Sequence, residues 1–211
     1  MMTLARSTSA ERDRLNDVAL VPAGVALNVA IAITVSVLKI PIYLDAIGTI
    51  AVVLMSRGGG RSPMWMGVFV GVFSFVLTAL FFNPTVIWFS HVQAAIAIYT
   101  FFVIRPIVRL MEATPGNNLR NWCYIILSGV CLGLITGTLS APIIALVFSG
   151  VTPNGPGFVN ALLIATGQSL FRAVFTGGIS VEPIDKTLQT ILAVSLYMNS
   201  PWRPKLGTIS A

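Results

Sequence analysis

The stretch "LKIPIYLDAIGTIAVVL", Leu38–Leu54, decides the fold class. It is oily over most of its length, yet it holds Lys39, Pro41, Tyr43 and Asp45 within seven residues. Pro41 stops a helix from continuing smoothly, because its ring removes an N–H and clashes with the preceding turn. The stretch therefore reads as the meeting point of two apolar helices, with a Lys and an Asp placed where they join. Charges near membrane depth cost free energy and point to function by default. Two readings of this pair stand side by side. Lys39 and Asp45 either reach a cavity, or snorkel to headgroups or pair with each other.

Working outward, 55% of the 211 residues are apolar and only 9% are charged, against roughly 25% charged in an ordinary soluble protein. The mean hydropathy is +0.87. Several apolar runs approach the ~20 residues that cross a bilayer as helix. A strand barrel would instead show alternating segments of ~10 residues. The composition predicts an all-α, polytopic membrane helical bundle in the cell membrane. The net charge of +6 would suggest a nucleic-acid partner in a soluble chain. Here the basic residues flank apolar runs, so the charge reports topology and no nucleic-acid partner is expected. Cys123 and Cys131 lie eight apart in one apolar run and read as buried free thiols, with neither a disulfide framework nor a metal spacing. "MMTLARSTSAERDRLNDV" lacks the apolar stretch and small-residue site of a signal peptide.

The expected organisation is a polar cytoplasmic tail over 1–20, one membrane-embedded domain over 21–200 and a cytoplasmic tail over 201–211. The spans read as Val21–Ile40, a short Ala46–Ser56, Pro63–Phe82, Val86–Ile104 and Trp122–Ser149, with Pro142 predicted to kink the last of these. A basic loop, "RPIVRLMEATPGNNLRN", follows the fourth span. Phe158–Phe171 reads as a further apolar helix, "GGISVEPIDK" as a break and Thr187–Met198 as the final helix. Two topologies fit: six transmembrane helices plus a short outer or re-entrant helix at Phe158–Phe171, or seven spans. With the N-terminus cytoplasmic, the six-span form puts Arg6, Arg12, Arg14, Arg57, Arg61, Arg105, Arg109, Arg120, Arg203 and Lys205 inside. Lys39, Arg172 and Lys186 then lie outside, ten basic residues against three. The seven-span form gives the same ratio, so positive-inside bias fixes the N-terminus without choosing between them.

In either topology "KIPIYLD", "NPT" (Asn83–Thr85) and "VTPNGPG" fall on one side and are expected to crowd one external mouth. His91, the single histidine, belongs to a polar patch with Ser90 and Gln93 and stands three residues after Trp88. It reads as a ligand contact or an interhelical hydrogen bond; a lone His gives no metal site. Gln168 and Arg172 are one turn apart and expected on one face, where Arg172 would suit a carboxylate or phosphate. Asn160 interrupts the same apolar run. Glu182, Asp185 and Lys186 in "EPIDK" read as a capped helix start with Asp185 near the N-cap. Ala26 and Ala30, four apart in "ALNVA", read as internal packing or as a face on which a partner helix docks closely. No Walker-type loop or HExxH is present, so any ATP would be bound by another chain.

"LKIPIYLDAIGTIAVVL", the "NPT" break, "LSAPIIALVFSGVT", "ATGQSL" and "EPIDKTL" together resemble substrate-binding S components of energy-coupling factor (ECF) transporters, from about Val21 to Met198. The resemblance implies a six-helix bundle with an outward-opening site for a vitamin-like ligand, and no cofactor of its own. It also implies partners: a membrane T component and two cytoplasmic ATPases. Ala26 and Ala30 match the docking motif of that family's first helix. The ligand residues expected on this reading are Lys39, Tyr43, Asp45, Asn83, Trp88, His91, Asn160, Gln168 and Arg172. Related bundles also occur as input regions of membrane sensors, which leaves a signalling module without transport as the alternative.

Overall fold

Runs of apolar residues this long satisfy their backbone hydrogen bonds only as helices, and the chain is helical almost throughout. The structure is a computed structural model and describes residues 2–114, 118–152 and 155–201. Among the described residues eight α-helices follow in order: α1 (Met2–Leu38), α2 (Ile47–Met55), α3 (Ser62–Phe81), α4 (Ser90–Tyr99), α5 (Arg105–Ala113), α6 (Asn118–Val147), α7 (Gly155–Ala165) and α8 (Leu170–Asn199). A 3₁₀ segment (Pro84–Phe89) leads into α4, and a π segment (Thr100–Ile104) joins α4 to α5. Among the described residues there is no strand. Among the described residues, four helical stretches are long and apolar enough to cross a membrane: Leu15–Leu38, Ser62–Phe81, Pro84–Ala113 and Leu119–Val147. Large apolar side chains such as Trp65, Phe81 and Leu146 are more than half exposed on their outer faces. This is the membrane helical bundle that the composition predicts.

The remaining helices set the internal architecture. α2 has nine residues, about 14 Å, roughly half the hydrocarbon thickness of ~30 Å. All but Met55 of it is buried, so it is a core helix. α8 is 30 residues long, about 45 Å, and carries polar residues in its middle. It packs along α6, where Gly129, Gly133 and Gly137 recur at four-residue spacing. A Cβ at Gly133 would overlap the backbone of Pro183 on α8. Small residues at this spacing let two helix backbones approach closely.

Several expected boundaries shift. The polar N-terminal tail is helical and continuous with the first span, since α1 begins at Met2. The basic loop after the fourth span is helical as far as Ala113; the π segment before Pro106 absorbs the disruption that a proline introduces. The apolar run Phe158–Phe171 is two elements, because the chain breaks over residues 166–169 between α7 and α8. The expected break at "GGISVEPIDK" is absent: α8 runs through it with Pro183 inside the helix. Asp185 is therefore not an N-cap, and Lys186 is not a loop cation. Cys123 and Cys131 are free but exposed on the apolar outer face of α6 rather than buried. The C-terminal tail from 202 onward lies outside the described residues.

The connection between α1 and α2 explains the quoted stretch. It folds back into the bundle, with Lys39 and Leu44 in left-handed conformation (φ 54° and 51°). Non-glycine residues adopt that region only when their surroundings hold them there. The hold comes from α8: Asp185 Oδ1 accepts from Tyr43 N and Leu44 N, both at 2.9 Å. Gln189 Oε1 accepts from Ala46 N at 2.8 Å. Irregular backbone at membrane depth is tolerated where protein surrounds it in this way.

Candidate functional site

Glu182, Asp185, Lys186 and Gln189 stand at i, i+3, i+4 and i+7 on α8, so helix geometry brings them onto one face. Asp45 joins them from the α1–α2 connection. Lys186 Nζ lies 2.8 Å from Asp185 Oδ2, 3.1 Å from Asp45 Oδ1 and 3.6 Å from Glu182 Oε2. It also sits 5.6 Å from the centre of the Tyr43 ring. One buried ammonium thus faces three carboxylates.

The three carboxylates are not equivalent. Asp185 is fully buried and saturated: Oδ1 takes the two backbone N–H groups, and Oδ2 takes Lys186 Nζ and Gln189 Nε2, the latter at 2.7 Å. Asp45 uses Oδ1 alone, toward Lys186 and, at 3.5 Å, Gln189 Nε2. Glu182 uses Oε2, toward Lys186 and Thr136 Oγ1, the latter at 2.9 Å. Asp45 Oδ2 and Glu182 Oε1 receive no hydrogen bond from any described residue.

Those two carboxylates face a cavity of about 230 Å³. Its floor is Asp45, Glu182 and Lys186, and its wall is aromatic, from Tyr43, Phe75, Phe82, Phe89 and Phe148. Ile42, Asn83 and Thr152 bring in the α1–α2, α3–α4 and α6–α7 connections. The three breaks quoted from the sequence therefore meet at one end of the bundle. Gly155 makes one of these meetings possible, since a Cβ there would overlap the Ile40 carbonyl.

A second polar chain reaches the cavity from the other side. Asn28 Oδ1 accepts from Gly48 N at 2.7 Å, and its Nδ2 donates to Thr49 Oγ1 at 2.9 Å and Ser74 Oγ at 3.3 Å. Thr49 Oγ1 donates to Gln93 Oε1 at 3.2 Å. α1, α2, α3 and α4 are tied together by buried groups that satisfy one another. Gln93, 1% exposed, ends the chain; its Nε2 has no acceptor among the described residues, and the side chain lines the cavity.

The expected ligand residues divide accordingly. Tyr43, Asp45 and Asn83 line the cavity; Asn83 also accepts from Thr85 N at 3.2 Å to open the 3₁₀ segment. Lys39 is exposed in the connection and is not part of the cavity lining. Trp88 in the 3₁₀ segment and His91 at the start of α4 are exposed, whereas Gln93 is buried and lines the cavity. Asn160 is buried against Gly177 of α8 and borders a much smaller void behind Tyr43 and Glu182. Gln168 and Arg172 do not share a helical face: Gln168 lies in the link before α8, Arg172 is exposed in its first turn, and neither lines the cavity. Glu182, Lys186 and Gln93 line the cavity and are absent from the expected set, as are the aromatic residues Phe75, Phe82, Phe89 and Phe148. The spacing of polar residues in "EPIDKTLQ" carried the signal for the first two.

Among the described residues no group of three or more His, Cys, Asp or Glu is placed to hold a metal ion. The chain matches no protein-family model, no curated protein and no solved structure.

Proposed function

We propose that this chain is the substrate-binding subunit of an ECF-type transporter. It captures a small, vitamin-like metabolite from outside and delivers it through a T component and ATPases that bind the ATP. The observation that carries the reading is the cavity itself. Three helix breaks converge over a buried, incompletely satisfied charge cluster, and among the described residues no other buried charge lines that cavity. Such a site is costly in a membrane protein unless something binds there. At about 230 Å³ it is smaller than the ~300–1,000 Å³ of drug-sized pockets, which suits a single small metabolite. The N-terminus is cytoplasmic in this reading, and the convergent breaks face outward.

The docking half of the proposal rests on α1. Ala26 and Ala30 are both exposed, on the side of α1 away from buried Gly24, Val25 and Asn28. Their small side chains leave a flat strip on which another helix can lie closely. The test is copurification from the native host. Wild-type chain should bring down a membrane T component and ATPases, and Ala26→Leu or Ala30→Leu should release them while leaving the chain folded. A soluble signalling partner in their place would overturn the transport reading in favour of a sensor.

A further inference from the structure

We infer that the ligand of this cavity carries a cationic nitrogen, either a protonated amine, an amidinium or a quaternised ring nitrogen, on a small planar body. The inference rests on the proposed function only in taking the cavity as a ligand site. Its chemistry comes from the floor. With every group ionised, three carboxylates against one ammonium leave a formal excess of two negative charges, and one remains even if a single carboxyl is protonated. Lys186 is the single basic residue lining the cavity among the described residues. Asp185, already saturated, holds the fold; the excess therefore falls on Asp45 and Glu182, whose second oxygens are unmatched. Uncompensated charge in an apolar interior is costly, and an opposite charge arriving with hydrogen bonds removes much of that cost.

The walls fit the same ligand. Tyr43, Phe75, Phe82, Phe89 and Phe148 give aromatic faces, which attract cations and stack on planar rings. Gln93 is buried and lines the cavity, and its Nε2 has no acceptor among the described residues. It asks for a carbonyl or ring-nitrogen acceptor on the ligand body. An anionic ligand would meet Asp45 and Glu182 with like charge and find only Lys186, which is already shared among carboxylates.

The test uses the full chain purified in detergent and three matched probes: benzamidinium, benzyl alcohol and benzoate. Thermal unfolding is followed as each is titrated. Benzamidinium should raise the unfolding temperature, with benzyl alcohol weaker and benzoate without effect. Asp45→Asn and Glu182→Gln should each raise the benzamidinium midpoint by about tenfold or more, the scale of one lost charge-assisted contact. A wild-type preference for benzoate or benzyl alcohol, or no shift with benzamidinium, overturns the inference; this arm needs no variant to fold. Copurification keeps the two readings apart. A chain that brings down T and ATPase subunits yet ignores benzamidinium loses the cation and keeps the transporter. A chain that prefers benzamidinium but has no such partners keeps the cation and loses the transporter.

Discussion

Two buried acidic sites lie at opposite ends of α2, and they are built differently. At its C-terminal end Asp17 of α1 accepts from Arg57 N at 2.8 Å, Gly58 N at 2.8 Å and Ser56 Oγ at 2.9 Å. Arg105, itself buried, donates to Ser56 O at 3.1 Å across the same junction and lies 5.6 Å from the Phe101 ring centre. Both Asp17 oxygens are engaged, and Asp17 lines neither the ligand-sized cavity nor the small void behind Tyr43. At the N-terminal end of α2, Asp185 is just as saturated, but Asp45 and Glu182 beside it are not, and they open onto the cavity. The difference teaches how to separate structural from functional charge in a membrane interior. A carboxylate whose acceptor sites are filled by backbone N–H groups is holding a connection in place. One that keeps an oxygen free against a cavity is, on the proposed reading, where a ligand binds.

The comparison is broken or sharpened by substitution. The largest effect is expected at Asp185, where Asp185→Ala leaves two buried backbone N–H groups without their acceptor and takes from Lys186 the shortest of its three carboxylate contacts. The cost is about 3–5 kcal/mol, read as a large drop in the unfolding temperature or loss of folded protein. Asp17→Ala should cost about 1.5–3 kcal/mol, the range for hydrogen bonds to a charged group. Benzamidinium binding per folded molecule should stay unchanged, because the cavity is elsewhere. Gly133→Ala should cost about 1–3 kcal/mol through overpacking of the α6–α8 contact, again measured by thermal unfolding. Glu182→Gln inverts the pattern: stability should hold or rise as one excess negative charge is removed, while cation binding falls. If Glu182→Gln were as destabilising as Asp185→Ala, the distinction between the two carboxylates would fail. The smallest effects belong to Trp88→Ala, His91→Ala and Arg172→Ala, each within about 0.5 kcal/mol as for exposed positions and without change in binding.

Much of the fold was legible because membrane helices announce themselves by run length, and the breaks "KIPIYLD", "NPT" and "VTPNGPG" by their prolines and polar residues. Their convergence on one cavity followed from alternating direction alone. What misled was proline. Pro183 and Pro106 look like helix ends, yet close packing on α6 and a π segment carry the helices through them. Reading "EPIDK" as a helix start hid the face of α8 that Glu182, Asp185, Lys186 and Gln189 share. Exposure was the other gap. Nothing in "WFSHVQ" says that Gln93 faces inward while Trp88 and His91 face out, because the 3₁₀ segment before α4 sets the helix phase. The same holds for Gln168 and Arg172, which share a helical repeat in the sequence but are separated by the start of α8.

The most direct measurement is native mass spectrometry of the chain, purified gently from its own host beside its Glu182→Gln variant. The wild-type chain should retain a small molecule bearing a cationic nitrogen, and the variant, equally folded, should have lost it. An adduct held equally by both chains, an anionic adduct, or none in either would contradict the assignment of Asp45 and Glu182 as the floor of a ligand site.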